Sequence, residues 1–341
     1  MIPRLNISFP LKRQWQYWFG KQYEPSEGEY LLNHARTGIV MALRASLPNG
    51  GRVGVVAYNC HTVANAVVNA GCTPVFVDVT EDLTIDVKSI PSDLDAIVVT
   101  NLFGIRNDIG VIRKRCPKAI IVVDNAHGYG LPAEGDFTVY SINQGKFPAL
   151  GEGGILVVNS QQTNGKWQMT NDKWQINEFY NSLPSYSFIA QFRLFVSMLT
   201  KAIAYSRCMY WLTMKMKKSS SPDVHQDVVM KQMAPRVRRL YQAWLPNAEQ
   251  EIEAQKCNAA ALNVKLEAIH HQCTTGANAF MAVVHCDNPA ELQKWFAQRG
   301  VETATHFARA IAWATEFGYQ PGSCPNAERL TKELLMIPTY R

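Results

Sequence analysis

Two rhythms of hydrophobic and polar positions alternate through the first half of the chain. Short, nearly continuous apolar runs occur at Val53–Ala57, Pro74–Val79, Ala96–Asn101, Ala119–Asp124, Thr138–Ser141 and Gly154–Val158. Their β-branched content and flanking turn residues predict strands buried on both faces. Between them, apolar residues recur at helical spacing over Tyr30–Leu47, which Asn49-Gly50-Gly51 ends, over Thr62–Ala70, which Gly71 stops, and over Ile109–Arg115. Apolar strands interleaved with helices predict an α/β chain: a three-layer large domain with a mostly parallel sheet.

The rhythm changes near Asn159. Residues 160–245 show no clear strand and are rich in Trp, Tyr, Phe and Met, with a loop predicted at Ser219–Pro222. Phe188, Phe192, Phe195, Leu199 and Ile203 recur at helical spacing, Tyr210, Trp211 and Met214 continue the apolar character, and Lys215, Lys217 and Lys218 follow. This pattern supports a helix pair burying its stripe against the large domain or a second subunit. It also supports an amphipathic element, residues 188–218, in peripheral contact with an anionic membrane. Arg193, Lys201 and Arg207 interrupt the region, so it lacks the ~18 consecutive apolar residues of a spanning helix. Further on, a helix is predicted at Ala248–Ile269, a strand at Ala279–His285, a helix at Pro289–Arg299 and a short strand at Val301–Thr305. The expected organisation is an N-terminal arm or short helix (1–30), a large domain (31–245) and a small C-terminal α+β domain (246–341).

Composition narrows the classes. The 341 residues carry 34 Lys+Arg against 28 Asp+Glu, a net charge of +6, and 47% are hydrophobic. That excludes a disordered chain, a collagen and a coiled coil. One short basic cluster is too little for a nucleic-acid partner. Eight cysteines include no C-x-x-C pair, so no metal site is expected and the thiols read as reduced, cytosolic small hydrophobes. The N-terminus has no apolar run after a basic start, which predicts no signal peptide and a cytoplasmic location.

Three features fall at predicted strand ends, where open α/β sheets bind ligands. Asp124 closes the most apolar run; it reads either as a turn or cap residue or as a carboxylate held against a cation. Ser141-Ile142-Asn143-Gln144-Gly145-Lys146 follows another strand and leads into Gly151-Glu152-Gly153-Gly154, a turn that lets backbone approach a ligand. Lys146 reads as a surface lysine or, in a pocket, as a nucleophilic amine. Arg36-Thr37-Gly38 would suit a phosphate if a helix began close to it.

Taken in order, Gly71-x-x-Pro74-Val75-Phe76-Val77-Asp78-Val79, Asp124-x-Ala126-His127, Ser141-x4-Lys146 and Gly151-Glu152-Gly153-Gly154 resemble the DegT/StrS family of sugar aminotransferases. These are pyridoxal 5′-phosphate (PLP) enzymes of the aspartate-aminotransferase fold, fold type I. The resemblance runs from about Leu31 to Asn159 and resumes from Ala248, with Leu334-Leu335-Met336-Ile337-Pro338 similar to the family's closing segment. It implies that Lys146 holds PLP covalently and that Asp124 pairs with the pyridine nitrogen. It places His127 against the ring or its 3′-oxygen, and Ser141, Thr37 and backbone near Arg36 on the phosphate. It implies an amino-acid donor, glutamate, a sugar carbonyl acceptor, and a homodimer serving cell-envelope polysaccharide or lipopolysaccharide synthesis. Lysine at 146 argues against the family's dehydratase branch, which has histidine there.

The chain departs from the family pattern in places. Where relatives carry an aromatic residue over the ring, this sequence has Cys60, with Tyr58 and His61 as neighbours that could reach the ring or substrate. No partner-subunit asparagine is identifiable between His225 and Arg239; Arg236, Arg238 or Arg239 could replace it or form an ordinary basic helix face. His306 stands where relatives often carry a histidine near the sugar, and a structural histidine fits equally. The acceptor is expected to be a nucleotide-linked ketosugar, with the terminal aldehyde of an octulosonic acid as an alternative. A PLP-binding regulator or assembly protein without turnover, or an α/β protein that binds no cofactor, are the competing classes.

Overall fold

The structure is a computed structural model and describes residues 13–159, 169–206, 209–210 and 223–340, with the side chains of 169–174 left out. Trp211, Met214, the run Lys215, Lys217 and Lys218, and the Ser219–Pro222 loop lie outside the described residues.

A seven-stranded sheet forms the larger body. Its strands are β1 (Glu29–Leu32), β2 (Arg52–Val56), β3 (Thr73–Val77), β4 (Ala96–Thr100), β5 (Ile120–Asn125), β6 (Phe137–Ser141) and β7 (Gly154–Val158), in spatial order β1-β7-β6-β5-β4-β2-β3. β7 pairs antiparallel with both neighbours, and every other pairing is parallel. Helices cover both faces. α1 (Gln14–Phe19), α2 (Ala35–Ser46), α3 (His61–Asn69), α4 (Ile109–Arg115), α5 (Met169–Ser182), α6 (Phe188–Ala204) and α7 (Pro235–Trp244) belong to this body. Every residue of β4 and β5 is buried, which explains why those strands read as unbroken apolar runs.

The stretch Tyr30–Leu47 is not one helix. Tyr30, Leu31 and Leu32 are strand, registered on Leu156, Ile155 and Gly154, and the helix starts at Ala35 with His34 at the cap position. Three consecutive buried apolar residues satisfy a strand and a helix pattern alike, so periodicity could not separate them. The later start puts Arg36 and Thr37 in the first helical turn, the condition for a phosphate reading.

The C-terminal part carries α8 (Ala248–Glu267), a three-stranded antiparallel sheet of β8 (Thr274–Thr275), β9 (Met281–His285) and β10 (Leu334–Pro338), and α9 (Pro289–Gln298), α10 (Ala310–Thr315) and α11 (Pro325–Glu333). The strand expected at Val301–Thr305 is absent. Ala304 makes one isolated bridge to Met336, and the chain turns away at Phe307 (φ 57°). The two parts share one hydrophobic core, in which Val99 and Val123 cluster with Met281 and Leu334, and a helix cap ties them as well. Asp78 is buried, and its carboxylate accepts hydrogen bonds from the N–H groups of Asn326 (3.1 Å) and Ala327 (2.8 Å) in the first turn of α11.

The stripe read on α6 divides in the single chain: Phe195 and Leu199 are half-buried, Phe195 stacking on Tyr17 (5.0 Å, 28°), while Phe188, Phe192 and Ile203 are exposed and would need a second subunit or another surface to cover them. Gln191, Met198 and Ala202 face inward, whereas Phe188 and Phe192 are 64% and 49% exposed. Ile189, Val196 and Ile203 are exposed with them, and Trp15 (70%) and Phe19 (67%) of α1 are exposed as well. Among the described residues no helix is long and apolar enough to cross a membrane.

Candidate active site

The residues at and just beyond the carboxyl ends of β2, β4, β5 and β6 form one buried polar cluster. Asp124 is registered opposite Thr100 on the adjacent parallel strand. It is 3% exposed and satisfies its carboxylate locally: Oδ1 accepts from the Ala126 N–H (3.0 Å) and Oδ2 from the Thr100 hydroxyl (3.4 Å). Thr100 Oγ1 accepts in turn from Asn59 Nδ2 (2.9 Å), so a relay runs across β2, β4 and β5. Burial raises the pKa of Asp124, and the Ala126 N–H, Lys146 and Thr100 oppose that rise.

Lys146 sits on the turn between β6 and β7, its N–H bonded to Asn143 O (2.9 Å). Its Nζ lies 2.6 Å from His127 Nε2. Burial lowers the pKa of Lys146, and the nearby Cys60 and Asp124 oppose the shift. His127 follows β5 by two residues and forms a triangle of rings with Phe103 and Phe307, which lie 6.1 Å from each other. Phe103 (5.7 Å, 26°) and Phe307 (6.0 Å, 18°) stack on it, and His306 lies 5.6 Å away. Its pKa is driven down by burial, then by Lys146 and His306.

The N-terminus of α2 forms the other wall. The Arg36 guanidinium has no hydrogen-bond or ion-pair partner among the described residues; burial lowers its pKa, against the attraction of Cys60 and Glu152. The Thr37 hydroxyl is instead committed to Asn33 Oδ1 (2.8 Å), and Thr37 is fully buried. Ser141 is buried at the end of β6, its Oγ 3.5 Å from the Asn143 N–H. Asn143 Oδ1 accepts from the Gly153 N–H (2.8 Å), and its amide lies against His34 Nδ1. A Cβ on Gly154 would stand 2.2 Å from the His34 carbonyl carbon, so only glycine lets β7 pass the cap of α2. His34 falls to a pKa of about 4, through burial and then Arg36, with Asn143 opposing.

Cys60 ends the β2 segment within electrostatic reach of both Lys146 and Arg36. Burial pushes its thiol up, but hydrogen bonds from His61 and Thr62 and the charge of Lys146 outweigh it and bring the pKa down to about 7. Tyr58 is fully buried, and its hydroxyl donates to the His306 carbonyl (2.7 Å). It ties the His306 segment to the end of β2. His61 packs its ring edge-on to Trp313 (5.0 Å).

Lys146 is thus in reach of Asp124, His127 and Cys60, and Cys60 of Arg36, with His306 beside His127, while the hydroxyls of Tyr58 and Thr37 bond the His306 carbonyl and Asn33. Sequence reasoning passed over Thr100, Asn59, His34 and Asn143. Thr100 was findable, being the last residue of an apolar strand neighbouring the one that carries Asp124.

The family model of the DegT/DnrJ/EryC1/StrS aminotransferases matches residues 31–175 and 240–341, more than half the chain. The chain belongs to this family. Among solved structures, it is similar to a sugar aminotransferase of Streptococcus pneumoniae in its PMP form (15% identity, 98% of this chain and 92% of that one, TM-score 0.71). It is similar to the sugar aminotransferase CalS13 of Micromonospora echinospora (14%, 99% and 95%, TM-score 0.69). It also matches DesI, solved in the presence of its TDP-sugar product (17%, 99% and 87%, TM-score 0.69). The shared fold is fold type I. DegT/StrS aminotransferases are PLP-dependent, and the cluster fits that cofactor: a buried amine for an aldehyde, a buried carboxylate for a pyridine nitrogen, and an unpaired guanidinium beside a helix N-terminus for a phosphate. The chain is therefore a PLP-dependent sugar aminotransferase by family.

Proposed function

We propose that this DegT/StrS member moves the amino group of glutamate to the carbonyl of a nucleotide-linked ketosugar in the cytoplasm, for cell-envelope polysaccharide or lipopolysaccharide synthesis. The observation that carries the reading is the closeness of Lys146 Nζ to His127 over a buried Asp124. Lys146 would hold the cofactor aldehyde and Asp124 the pyridine nitrogen. Arg36, Ser141 and the first-turn N–H groups of α2 would hold the phosphate. When bound, PLP supplies the electron sink for a carbanion. Lys146 Nζ, as a free amine, takes the proton from the donor Cα and returns one to the acceptor carbon in the second half of the cycle. Asp124 keeps a proton on its partner nitrogen. Phe103 and Phe307 exclude water from the His127 side.

The nucleotide-linked acceptor rests on the TDP-sugar product of the similar DesI; an octulosonic aldehyde is the alternative. A homodimer is part of the proposal, supported by the exposed apolar face of α1 and α6. The test is the absorption spectrum of the PLP-loaded protein before and after glutamate, with 2-oxoglutarate assayed in parallel. A spectral change with stoichiometric 2-oxoglutarate is expected. A cofactor band indifferent to glutamate would favour another donor or a protein that binds PLP without turnover. No band after PLP is supplied would sink the reading.

A further inference from the structure

Phe103 adopts a left-handed backbone (φ 53°) in the 3-10 turn Leu102–Gly104 that follows β4. Such a conformation costs a non-glycine residue about 1 kcal/mol. Its packing holds it in place. The Ala277 N–H bonds to Gly104 O (3.0 Å), and a Cβ on Gly276 would stand 2.3 Å from Phe103 O. The turn aims one backbone donor into the site: the Phe103 N–H points at His127 Nδ1, 3.2 Å away. Asn278 Nδ2 holds the same histidine by its carbonyl (3.0 Å).

A backbone N–H can only donate, so His127 Nδ1 must accept. A neutral imidazole then carries its one proton on Nε2, the atom 2.6 Å from Lys146 Nζ. An N–H facing an ammonium would set donor against donor. The pair is satisfied only when Nζ presents a lone pair. We infer that His127 is a positioning residue that delivers Lys146 as a free amine, with the Phe103 backbone N–H fixing the tautomer that makes this possible. The inference rests on the proposed function only for the use made of that amine.

The groups facing the pair are Asp124 on β5, Cys60 after β2, and His306 from the C-terminal part. Asp124 and Cys60 would each favour an ammonium, which makes the imidazole donor and burial the opposing influences. A glutamine at 127 offers the same pair of roles as this histidine. Either can accept from Phe103 and donate to Lys146, whereas a carboxylate can only accept.

The test uses the full chain freed of cofactor, with histidine 15N-labelled. Long-range proton–nitrogen correlation spectra report which ring nitrogen of His127 is protonated, assigned by the signal lost in His127→Gln. The Nε2–H tautomer, unchanged between pH 6 and 9, is expected; an Nδ1–H tautomer or an imidazolium overturns the inference. Reductive methylation with formaldehyde and cyanoborohydride, read by mass spectrometry of the Lys146 peptide, reports the amine directly, because only a free amine condenses. Lys146 should outpace surface lysines at pH 7, and His127→Gln should keep that advantage. His127→Glu should raise the midpoint, each pH unit slowing methylation at pH 7 about tenfold. Wild-type Lys146 reacting like a surface lysine, or indifference to His127→Glu, would also overturn it. Neither readout involves PLP or glutamate, so failure here is separable from failure of the aminotransferase assay.

Discussion

The strand-end pocket and the α1/α6 face obey opposite rules. At the pocket, charged groups are buried and nearly every polar atom of Asp124, His127, Thr100 and Asn143 has a named partner. On the face, Phe188, Phe192 and Trp15 stand in solvent. The strand-end cluster buries its charged groups at a cost in stability. The face leaves apolar area uncovered, of the kind that marks an interaction surface. Met198 joins the two: it points inward from α6 and its sulfur packs on Gly151 of the pocket turn, leaving no room for a Cβ there (2.5 Å).

Substitutions should separate the two regions. The largest effect is expected from Lys146→Ala, which should cut turnover by roughly 10⁴-fold or more while the thermal midpoint stays near wild type. Substantial turnover by that variant would remove the lysine from the mechanism. Asp124→Asn should lower turnover by about 10²-fold or more yet stabilise the cofactor-free chain. The sign follows from its raised pKa. A carboxyl whose folded pKa exceeds its unfolded value is destabilising above that value, and the penalty fades as pH falls. Loss of stability at pH 7 would contradict this. Gly151→Ala should damage both regions, since φ +107° and the Met198 contact each oppose a side chain; a loss of about 2–4 kcal/mol by denaturant titration is expected. Removing the α11 cap with Asp78→Ala should cost about 1–2 kcal/mol. A cost indistinguishable from zero would mean the first turn of α11 finds other acceptors. The smallest effect on folding is expected from Phe188→Ser with Phe192→Ser, within about ±0.5 kcal/mol per site. Sedimentation should then show a shift toward monomer if the face is the subunit contact. An unchanged state combined with lost binding to anionic vesicles would assign the face to a membrane surface.

Much of the pocket was legible because its chemistry uses residue types at fixed places in a strand pattern. Asp124 ends an apolar run, and Lys146 precedes a glycine-rich turn, whatever the rest of the chain does. For Thr37 and Tyr58 residue type does not reveal which way a hydroxyl points: one bonds Asn33 and the other the His306 carbonyl. The stripe on α6 left open what covers it, for a related reason. Helical spacing marks an apolar face, but only the surroundings decide whether that face turns inward, and here Met198 and Ala202 occupy the inner side. The Phe103 donor could not be read at all, because a backbone N–H has no letter of its own. For Cys60 the sequence supplied a position and the fold supplied its reactivity. Alkylation of the cofactor-free chain should rise through about pH 7, and a rise near the ordinary thiol range instead would detach Cys60 from Lys146.

The reversed strand has a consequence for synthesis. β1 bonds β7 on one edge, Leu32 lying opposite Gly154, and on the other edge the segment 231–233, where the Met233 N–H meets Leu31 O (2.8 Å) and the Asn33 N–H meets Lys231 O (3.0 Å). As the chain leaves the ribosome, β1 emerges with no strand to pair with. At ~5–20 residues per second, the intervening segment takes on the order of ten seconds to appear. During that interval an apolar edge, Tyr30-Leu31-Leu32, is open to any neighbouring strand. Both edges of β1 are therefore open to mispairing before β7 is made, and one stays open until residues 231–233 follow.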